Sequence, residues 1–218
     1  PSGVSLAPGG GLTLTGALAV DGGTVKLDGN YPVGTDNVAL GDTALDSVEA
    51  GGINNVAIGD HAGTAITTGD SNIAIGKDAL ETSTTASHNT AIGFEALNKN
   101  TTGCFNQAVG SFALGCNTEG CQNTAMGMSA LIVNTTGDDN VAIGRLALTA
   151  NTTANSNTAV GKSALAANTT GTNNTAVGFS ALTSNTTAND NVAVGRCSLK
   201  TNTTGASNTA VGQNSLFN

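Results

Sequence analysis

Carboxylates, thiols and histidines are the side chains of this chain that could act in catalysis or bind a metal. Glycoside cleavage needs two carboxylates held several ångströms apart, but nothing in their spacing marks such a pair, and Asp138 and Asp139 are typical of a solvated turn. The two histidines, His61 and His88, lie far from the cysteines, and no paired C-x-x-C motif exists. We therefore expect no enzymatic activity, no cofactor and no metal centre.

The side chains best suited to bind a partner follow a series of evenly spaced glycines. The two positions after each glycine change from copy to copy, whereas the residues around them are constant. Variation within a strict repeat indicates solvent exposure, and exposed phenylalanines can stack on sugar rings or on protein partners. The alternative is that these residues fill grooves between chains. The candidate receptor-facing residues are Phe94, Phe112, Phe179, Lys77, Arg145, Lys162 and Arg196.

Eleven glycines recur at nearly constant spacing, with a first interval of 18 residues and later intervals of 17. Such a period predicts one supersecondary unit copied eleven times. Residues 157–165 carry the repeated motif whole, as Asn-Thr-Ala-Val-Gly-Lys-Ser-Ala-Leu. We call these residues the ruler glycines, and they are Gly41, Gly59, Gly76, Gly93, Gly110, Gly127, Gly144, Gly161, Gly178, Gly195 and Gly212.

A 17-residue unit is too short for a helical hairpin, and its glycines and Asn-Thr-Thr clusters disfavour helix interiors. Two strands of four or five residues with two turns fit this length. The sequence therefore predicts an all-β fold, a parallel β-solenoid of 17-residue coils covering residues 36–218. Residues 1–35 do not share the period and are interpreted as an N-terminal attachment segment with short strands.

Three columns of the repeat predict its core. An alanine always stands two residues before the ruler glycine, and an apolar residue always stands immediately before it. Alternation along a strand places these two on opposite faces, so we expect both faces to be buried. Leucine stands four residues after the glycine in every copy except one, which has Gly63.

A single such coil encloses little apolar surface. Burial stabilises the coil by about 25 cal/mol per Å², and ordering it costs about 1.5 kcal/mol of conformational entropy per residue. For one isolated coil these two free energies nearly cancel. Packing of one strand face against sister chains around a common axis would supply the missing burial. We therefore predict a homotrimer.

Two asparagine columns and two cysteines also follow the period. Stacked carboxamides can donate to and accept from one another, so the asparagines predict hydrogen-bonded ladders, with a ligand-binding role for the columns as the alternative. Cys104 and Cys121 are 17 residues apart and should lie about 4.8 Å apart on successive coils, within the range that a disulfide tolerates. Stacked free thiols are the alternative.

Charge and hydropathy exclude two classes of partner. The formal net charge is −8, and the seven basic residues form no stripe for a nucleic acid and no basic amphipathic face. No apolar run is long enough to span a membrane, and no secretory signal is visible. We expect neither nucleic acid binding nor membrane insertion.

The motif Asn-Thr-Ala-Val-Gly-x-x-Ala-Leu resembles the head repeats of YadA-type trimeric autotransporter adhesins. That resemblance implies trimeric, left-handed parallel β-rolls that bind host surfaces. The period departs from the family, whose repeats are commonly shorter, and the Asn-Thr-Thr-Gly turn is the apparent insertion.

A second resemblance covers the whole chain. The long Asn-Thr-Ala-Val-Gly and Asn-Thr-Thr-Gly arrays, with the opening segment 12–29, resemble tail-fibre and tail-spike proteins of bacteriophages, including cyanophages. This implies a location in the virion, attachment of the N-terminal end to tail or baseplate proteins, and a bacterial surface glycan or protein as receptor. Otherwise the chain would be extracellular, on a cell surface.

Two other functions fit the repeat. The array could be a rigid shaft that carries a separate receptor-binding tip. Repeated threonine pairs such as Thr101-Thr102 suggest ice binding, but adjacent residues of a strand point to opposite faces and the ladder breaks at Glu119.

Overall fold

The computed structural model describes residues 36–217, and these form one parallel β-sheet of eleven strands in chain order. No residue in that range is helical. The all-β solenoid prediction is therefore confirmed, whereas the attachment segment predicted for 1–35 lies outside the described residues. The strands are β1 (Val38–Leu40), β2 (Val56–Ile58), β3 (Ile73–Ile75), β4 (Thr90–Ile92), β5 (Gln107–Val109), β6 (Thr124–Met126), β7 (Val141–Ile143), β8 (Thr158–Val160), β9 (Thr175–Val177), β10 (Val192–Val194) and β11 (Thr209–Val211).

Each strand pairs with the next one in register, so equivalent residues of successive coils lie beside one another. Ala142 of β7 pairs with Ala159 of β8, which belongs to the next copy of the motif. We number the coils 1 to 11 after their strands. The predicted 17-residue coil is confirmed along the whole described chain, with the single 18-residue step between β1 and β2.

Each coil contains one strand of three residues, so the prediction of two strands of four or five residues is wrong. The rest of the coil is a series of turns in which non-glycine residues adopt positive φ. In coil 8, Ser163 has φ 58° and Leu165 has φ 51°. These residues reverse the backbone and prevent a second strand, yet the amide of Leu165 still donates to the carbonyl of Ala181 on the next coil, at 3.0 Å.

The core is a narrow stack of small and branched side chains enclosed by each coil. The strand alanines are buried, as are the leucines four residues after the ruler glycine, apart from Leu216 in the last coil. Where Gly63 replaces the leucine, Ile66 of the same coil is 1% exposed. A Cβ added to Gly63 would lie 3.0 Å from Ile66 Cδ1, so Ile66 fills the space that leucine fills elsewhere.

The strand face opposite the alanines is only partly covered within one chain. Ile143 is 38% exposed and Val177 is 36% exposed, so the expectation of burial on both faces is wrong for the isolated chain. Side chains on either side of the alanine point outward and form two columns along the sheet. Burial of that face by sister chains stays a prediction.

The asparagine columns are confirmed as ladders. Asn157 is buried, and its amide N–H donates to the side-chain oxygen of Asn140 at 3.0 Å. Its own Nδ2 donates to the carbonyl of Gly171 at 2.9 Å. In the second ladder, Asn134 donates through Nδ2 to the side-chain oxygen of Asn117 at 2.8 Å. The carboxamides therefore form hydrogen bonds with backbone N–H and C=O groups that would otherwise be buried without partners.

The ruler glycines allow close contact between the backbones of successive coils. Gly144 has φ 129°, and a Cβ built on it would lie 2.7 Å from the carbonyl carbon of Gly161. Both the conformation and the space exclude an L side chain. The ruler glycines are therefore required by the backbone and not by a ligand.

Replacing Gly144 by alanine should lower the free energy of unfolding by about 3 kcal/mol or more, because the added Cβ must separate two backbones. Gly115→Ala is the matched control, since its nearest atom would be the Phe112 carbonyl oxygen at 3.3 Å and the equivalent residue of coil 8 is Ala166. Urea unfolding followed by circular dichroism measures both changes. Equal losses in the two variants would contradict the argument.

Candidate functional site

The residue immediately after each ruler glycine forms a column on the outside of the solenoid, which we call the post-glycine column. The glycine's extended positive φ ends the strand and turns the next side chain outward. Exposure at this column agrees with the prediction for Phe94, at 39%, and for Phe179, at 44%. The column consists of Asp42, Asp60, Lys77, Phe94, Ser111, Met128, Arg145, Lys162, Phe179, Arg196 and Gln213.

The next position is different, although the sequence predicted exposure for both. Its residues have positive φ and lie closer to the coil. Ser180 and Cys197 are buried, Asn214 is exposed and the others, Phe112 included, are half-buried, so the prediction of exposure holds only in part for this column. Phe112 packs edge to face against Phe94, with 5.2 Å between ring centroids, so the structure brings together two of the predicted candidates.

Lys162, Phe179 and Arg196 occupy the post-glycine column on three successive coils. Lys162 Nζ lies 5.6 Å from the centroid of the Phe179 ring, and Arg196 Cζ lies 5.9 Å from it. Both distances are within cation–π range. The ring therefore contacts a cation from the coil on either side, and stacking of Phe179 on a sugar ring or a protein partner stays a prediction.

Charge is divided along the length of the solenoid. Residues 36–99 contain nine acidic residues and two basic ones, whereas residues 140–217 contain four basic residues and one acidic residue, Asp190. The acidic residues of the first segment are Asp36, Asp42, Asp46, Glu49, Asp60, Asp70, Asp78, Glu81 and Glu95. The basic residues of the second segment are Arg145, Lys162, Arg196 and Lys200.

Lys77 belongs to a local ion-pair network at the acidic end. Its Nζ lies 2.6 Å from Asp60 Oδ2 and 3.4 Å from Asp78 Oδ1. The hydrogen bond from Lys77 lowers the pKa of Asp60, and the same bond raises the pKa of Lys77. Both groups are on the surface, so the pair contributes little to stability. Of the predicted cations, Lys77 is therefore the one whose charge is locally neutralised.

Three side chains beside that network could together hold a metal ion. The ligand atoms of His61, Asp78 and Glu81 lie within 4.8 Å of one another. His61 Nδ1 is 3.1 Å from Asp78 Oδ1, and Glu81 accepts a hydrogen bond from Asn98 Nδ2 at 2.7 Å. The sequence argument against metals compared histidines with cysteines and missed this group, which only the stacking of coils 2 and 3 assembles.

A third ladder runs through the cysteines, and sequence reasoning did not find it. The amide of Cys104 donates to Cys121 Sγ at 3.1 Å, and the amide of Cys121 donates to Asp138 Oδ1 at 2.7 Å. Both thiols are free, which is the alternative to the disulfide. Asp138 is half-buried and accepts a backbone hydrogen bond, whereas Asp139 is exposed, so the solvated-turn interpretation describes Asp139 better than Asp138.

The threonine pairs are partly used by the backbone. Thr135 Oγ1 donates to the carbonyl of Thr152 at 3.0 Å, and Thr169 Oγ1 donates to that of Thr186 at 3.0 Å. The first hydroxyl of each such pair is therefore bonded to the neighbouring coil.

Another exposed aromatic, Phe105, was not among the candidates. Its side chain is 57% exposed and stacks on His88, with ring centroids 4.8 Å apart.

Within residues 36–217 no helix could cross a membrane. Comparison of the chain with protein-family models, with curated proteins and with solved structures finds no match.

The four thiols should differ in their rates of alkylation by iodoacetamide. Cys116 is exposed and Cys197 is buried, so we expect Cys116 to react about tenfold faster or more. Burial raises the pKa of Cys121, so its reaction should require a higher pH in the folded chain than in urea. Mass spectrometry of the peptides measures both. If Cys104 and Cys121 react with iodoacetamide only after a reductant is added, they form a disulfide, and the description of them as free thiols is contradicted.

Proposed function

We propose that this chain is the solenoid of a homotrimeric fibre, from a bacteriophage tail or a related surface adhesin, which attaches to a bacterial host surface. The observation that carries the proposal is the post-glycine column, where exposed side chains vary from coil to coil on a constant scaffold. Binding residues are typically presented in this way by rigid frameworks. The receptor is a bacterial surface glycan or protein.

The outer strand face supports assembly with sister chains. Its apolar column continues through all eleven coils and includes Ile58, Met126 and Ile143, each more than a third exposed. Contiguous apolar surface of this length is unusual on a monomer and marks an interaction site. A threefold axis parallel to the sheet would bury the same face on each chain.

The resemblance of the repeats and of segment 12–29 to phage fibres supports the location. In this proposal residues 1–35 join virion tail or baseplate proteins, and the solenoid extends towards the host. If the chain comes from an adhesin, the location is the cell surface. Nucleic acid and membrane lipid are not partners, because the net charge of −8 opposes both.

A rigid shaft is the second candidate function. The backbone bonds and asparagine ladders between successive coils support it, since they make a stiff rod whether or not its surface binds anything. A shaft would hold a separate tip away from the virion. The two functions differ in whether the solenoid itself recognises cells.

Ice binding has less support, because the first threonine hydroxyl of pairs such as Thr135-Thr136 already donates a hydrogen bond to the next coil.

Trimer formation can be tested by sedimentation. The full chain should sediment at three times its mass of 21.2 kDa. Val160→Asp together with Val177→Asp should dissociate it, because two carboxylates would be buried on the outer face of β8 and β9. Thr170→Asp with Thr187→Asp adds the same charge at exposed turn positions and should leave the trimer intact. A wild-type monomer would disprove the assembly.

Attachment can be tested with the fluorescently labelled full chain on a panel of bacterial strains. Saturable binding to at least one strain is expected, and it should weaken when Phe94 and Arg145 are both replaced by serine. Thr170→Ser with Thr187→Ser is the control on another column. Absence of binding to every strain, with the trimer intact, would favour the shaft.

A further inference from the structure

The basic half of the post-glycine column has an arrangement that the acidic half lacks. Arg145, Lys162 and Arg196 stand on coils 7, 8 and 10 and are exposed. Because β7 to β10 pair in register, their Cα atoms follow one line at about 4.8 Å per coil. The line of cations therefore extends over three strand spacings, or about 14 Å, so the expectation that the basic residues form no stripe is wrong for coils 7 to 10.

The charges on this line are not neutralised within the described chain. Among residues 36–217 no carboxylate lies within ion-pair distance of Arg145, Lys162 or Arg196, in contrast to Lys77. In coils 7 to 10 neither the post-glycine column nor the column after it contains an acidic residue. Asp139 and Asp190 precede Asn140 and Asn191, at the other end of the strand in their coils.

Phe179 has a positioning role on this line. Its ring lies between coils 8 and 10 and contacts Lys162 at 5.6 Å and Arg196 at 5.9 Å. A ring that attracts two cations reduces the freedom of both long side chains, and so lowers the entropy lost when they bind an anion. The aromatic residue thus organises the cations and does not itself contact the ligand.

We propose that coils 7 to 10 bind an acidic polysaccharide, whose carboxylates or other anionic groups lie along Arg145, Lys162 and Arg196. The inference rests on the proposed function and names the class of its receptor. A linear acidic glycan can place one anionic group opposite each cation of a single row. Duplex nucleic acid fits less well, because it carries one negative charge per about 1.7 Å of its axis, far more than three cations spread over about 14 Å can match.

The acidic end of the column limits where such a ligand binds. Asp42, Asp60, Asp78 and Glu95 stand on coils 1 to 4 in the two columns after the ruler glycine. They repel the anionic glycan, so its contact is confined to the later coils. The division of charge along the solenoid therefore sets both the position of the ligand and the end of the rod that recognises it.

The test measures binding of the full chain to immobilised polygalacturonate, with neutral dextran and duplex DNA as parallel probes. Wild-type chain should bind polygalacturonate and not dextran, with affinity that falls as salt rises. Lys162→Gln with Arg196→Gln should reduce the affinity about tenfold or more and lower the salt slope by about one per removed cation. Lys99→Gln with Lys200→Gln makes the same change of net charge outside the post-glycine column and should alter the affinity less than about twofold.

Phe179→Leu tests the positioning role. It keeps every charge but removes the ring, so the affinity should fall by about threefold to fivefold while the salt slope stays constant. Phe105→Leu is the matched control, because its exposed ring stacks on His88 and is not part of the post-glycine column, and it should have no effect. A Phe179→Leu chain that binds like the wild type would overturn the role of the ring.

Several outcomes would overturn the proposal itself. These are equal binding to polygalacturonate and dextran, equal losses in the two double variants, and tighter binding of duplex DNA than of polygalacturonate. Cell binding, measured separately, keeps the two proposals distinct. If the chain binds cells but not polygalacturonate, the attachment proposal stands and the acidic-glycan proposal fails. If it binds polygalacturonate through the post-glycine column but does not bind cells, the acidic-glycan proposal stands and the attachment proposal fails.

Discussion

The approach of one backbone to the next at the ruler glycines is the constraint on which the rest of the structure depends. In the first ten coils a Cβ built on the ruler glycine would lie 2.3 to 2.7 Å from an atom of the following coil. Any side chain there would separate the strands, and the in-register pairing of β1 to β11 would be lost. Because that register aligns equivalent residues, every column and ladder depends on it.

Register also explains how so thin a core holds together. Alanine and leucine give little apolar area per coil, but each coil covers the one before it, and the buried polar groups are bonded from coil to coil. Asn157, for example, takes part in bonds to the coils on both sides. Such bonds contribute modestly one at a time, whereas an unpaired buried amide is costly. The ladders therefore make correct stacking much more favourable than displaced stacking.

Much of this architecture could be predicted from the sequence, because it follows from periodicity. The 17-residue spacing predicted the solenoid, and the constant alanine, leucine and asparagine columns predicted the core and ladders. The turns could not be predicted, because Leu165 and its equivalents adopt positive φ that leucine rarely has in isolation. The third ladder was missed because its acceptors differ in chemistry, as in Cys121 and Asp138, and so looked like ordinary variation.

The candidate site was predictable only as a list of exposed positions. Variation after the ruler glycine correctly indicated the exposure of Phe94 and Phe179, but it could not show that the next column turns inward at Ser180. Ring contacts also depend on rotamers, so the cations beside Phe179 are visible only in three dimensions. The His61, Asp78 and Glu81 group appears for a similar reason, since side chains of different coils meet there.

Identical stacking has a consequence for how this molecule can change length. From β2 onward, removing or duplicating any contiguous 17 residues reconnects the chain with all columns aligned, whereas an insertion or deletion of another size breaks them at the junction. Gain or loss of such whole units keeps each coil in contact with a neighbour of the same kind. Rod length and the order of surface residues can therefore vary in whole-coil steps without a new fold having to arise.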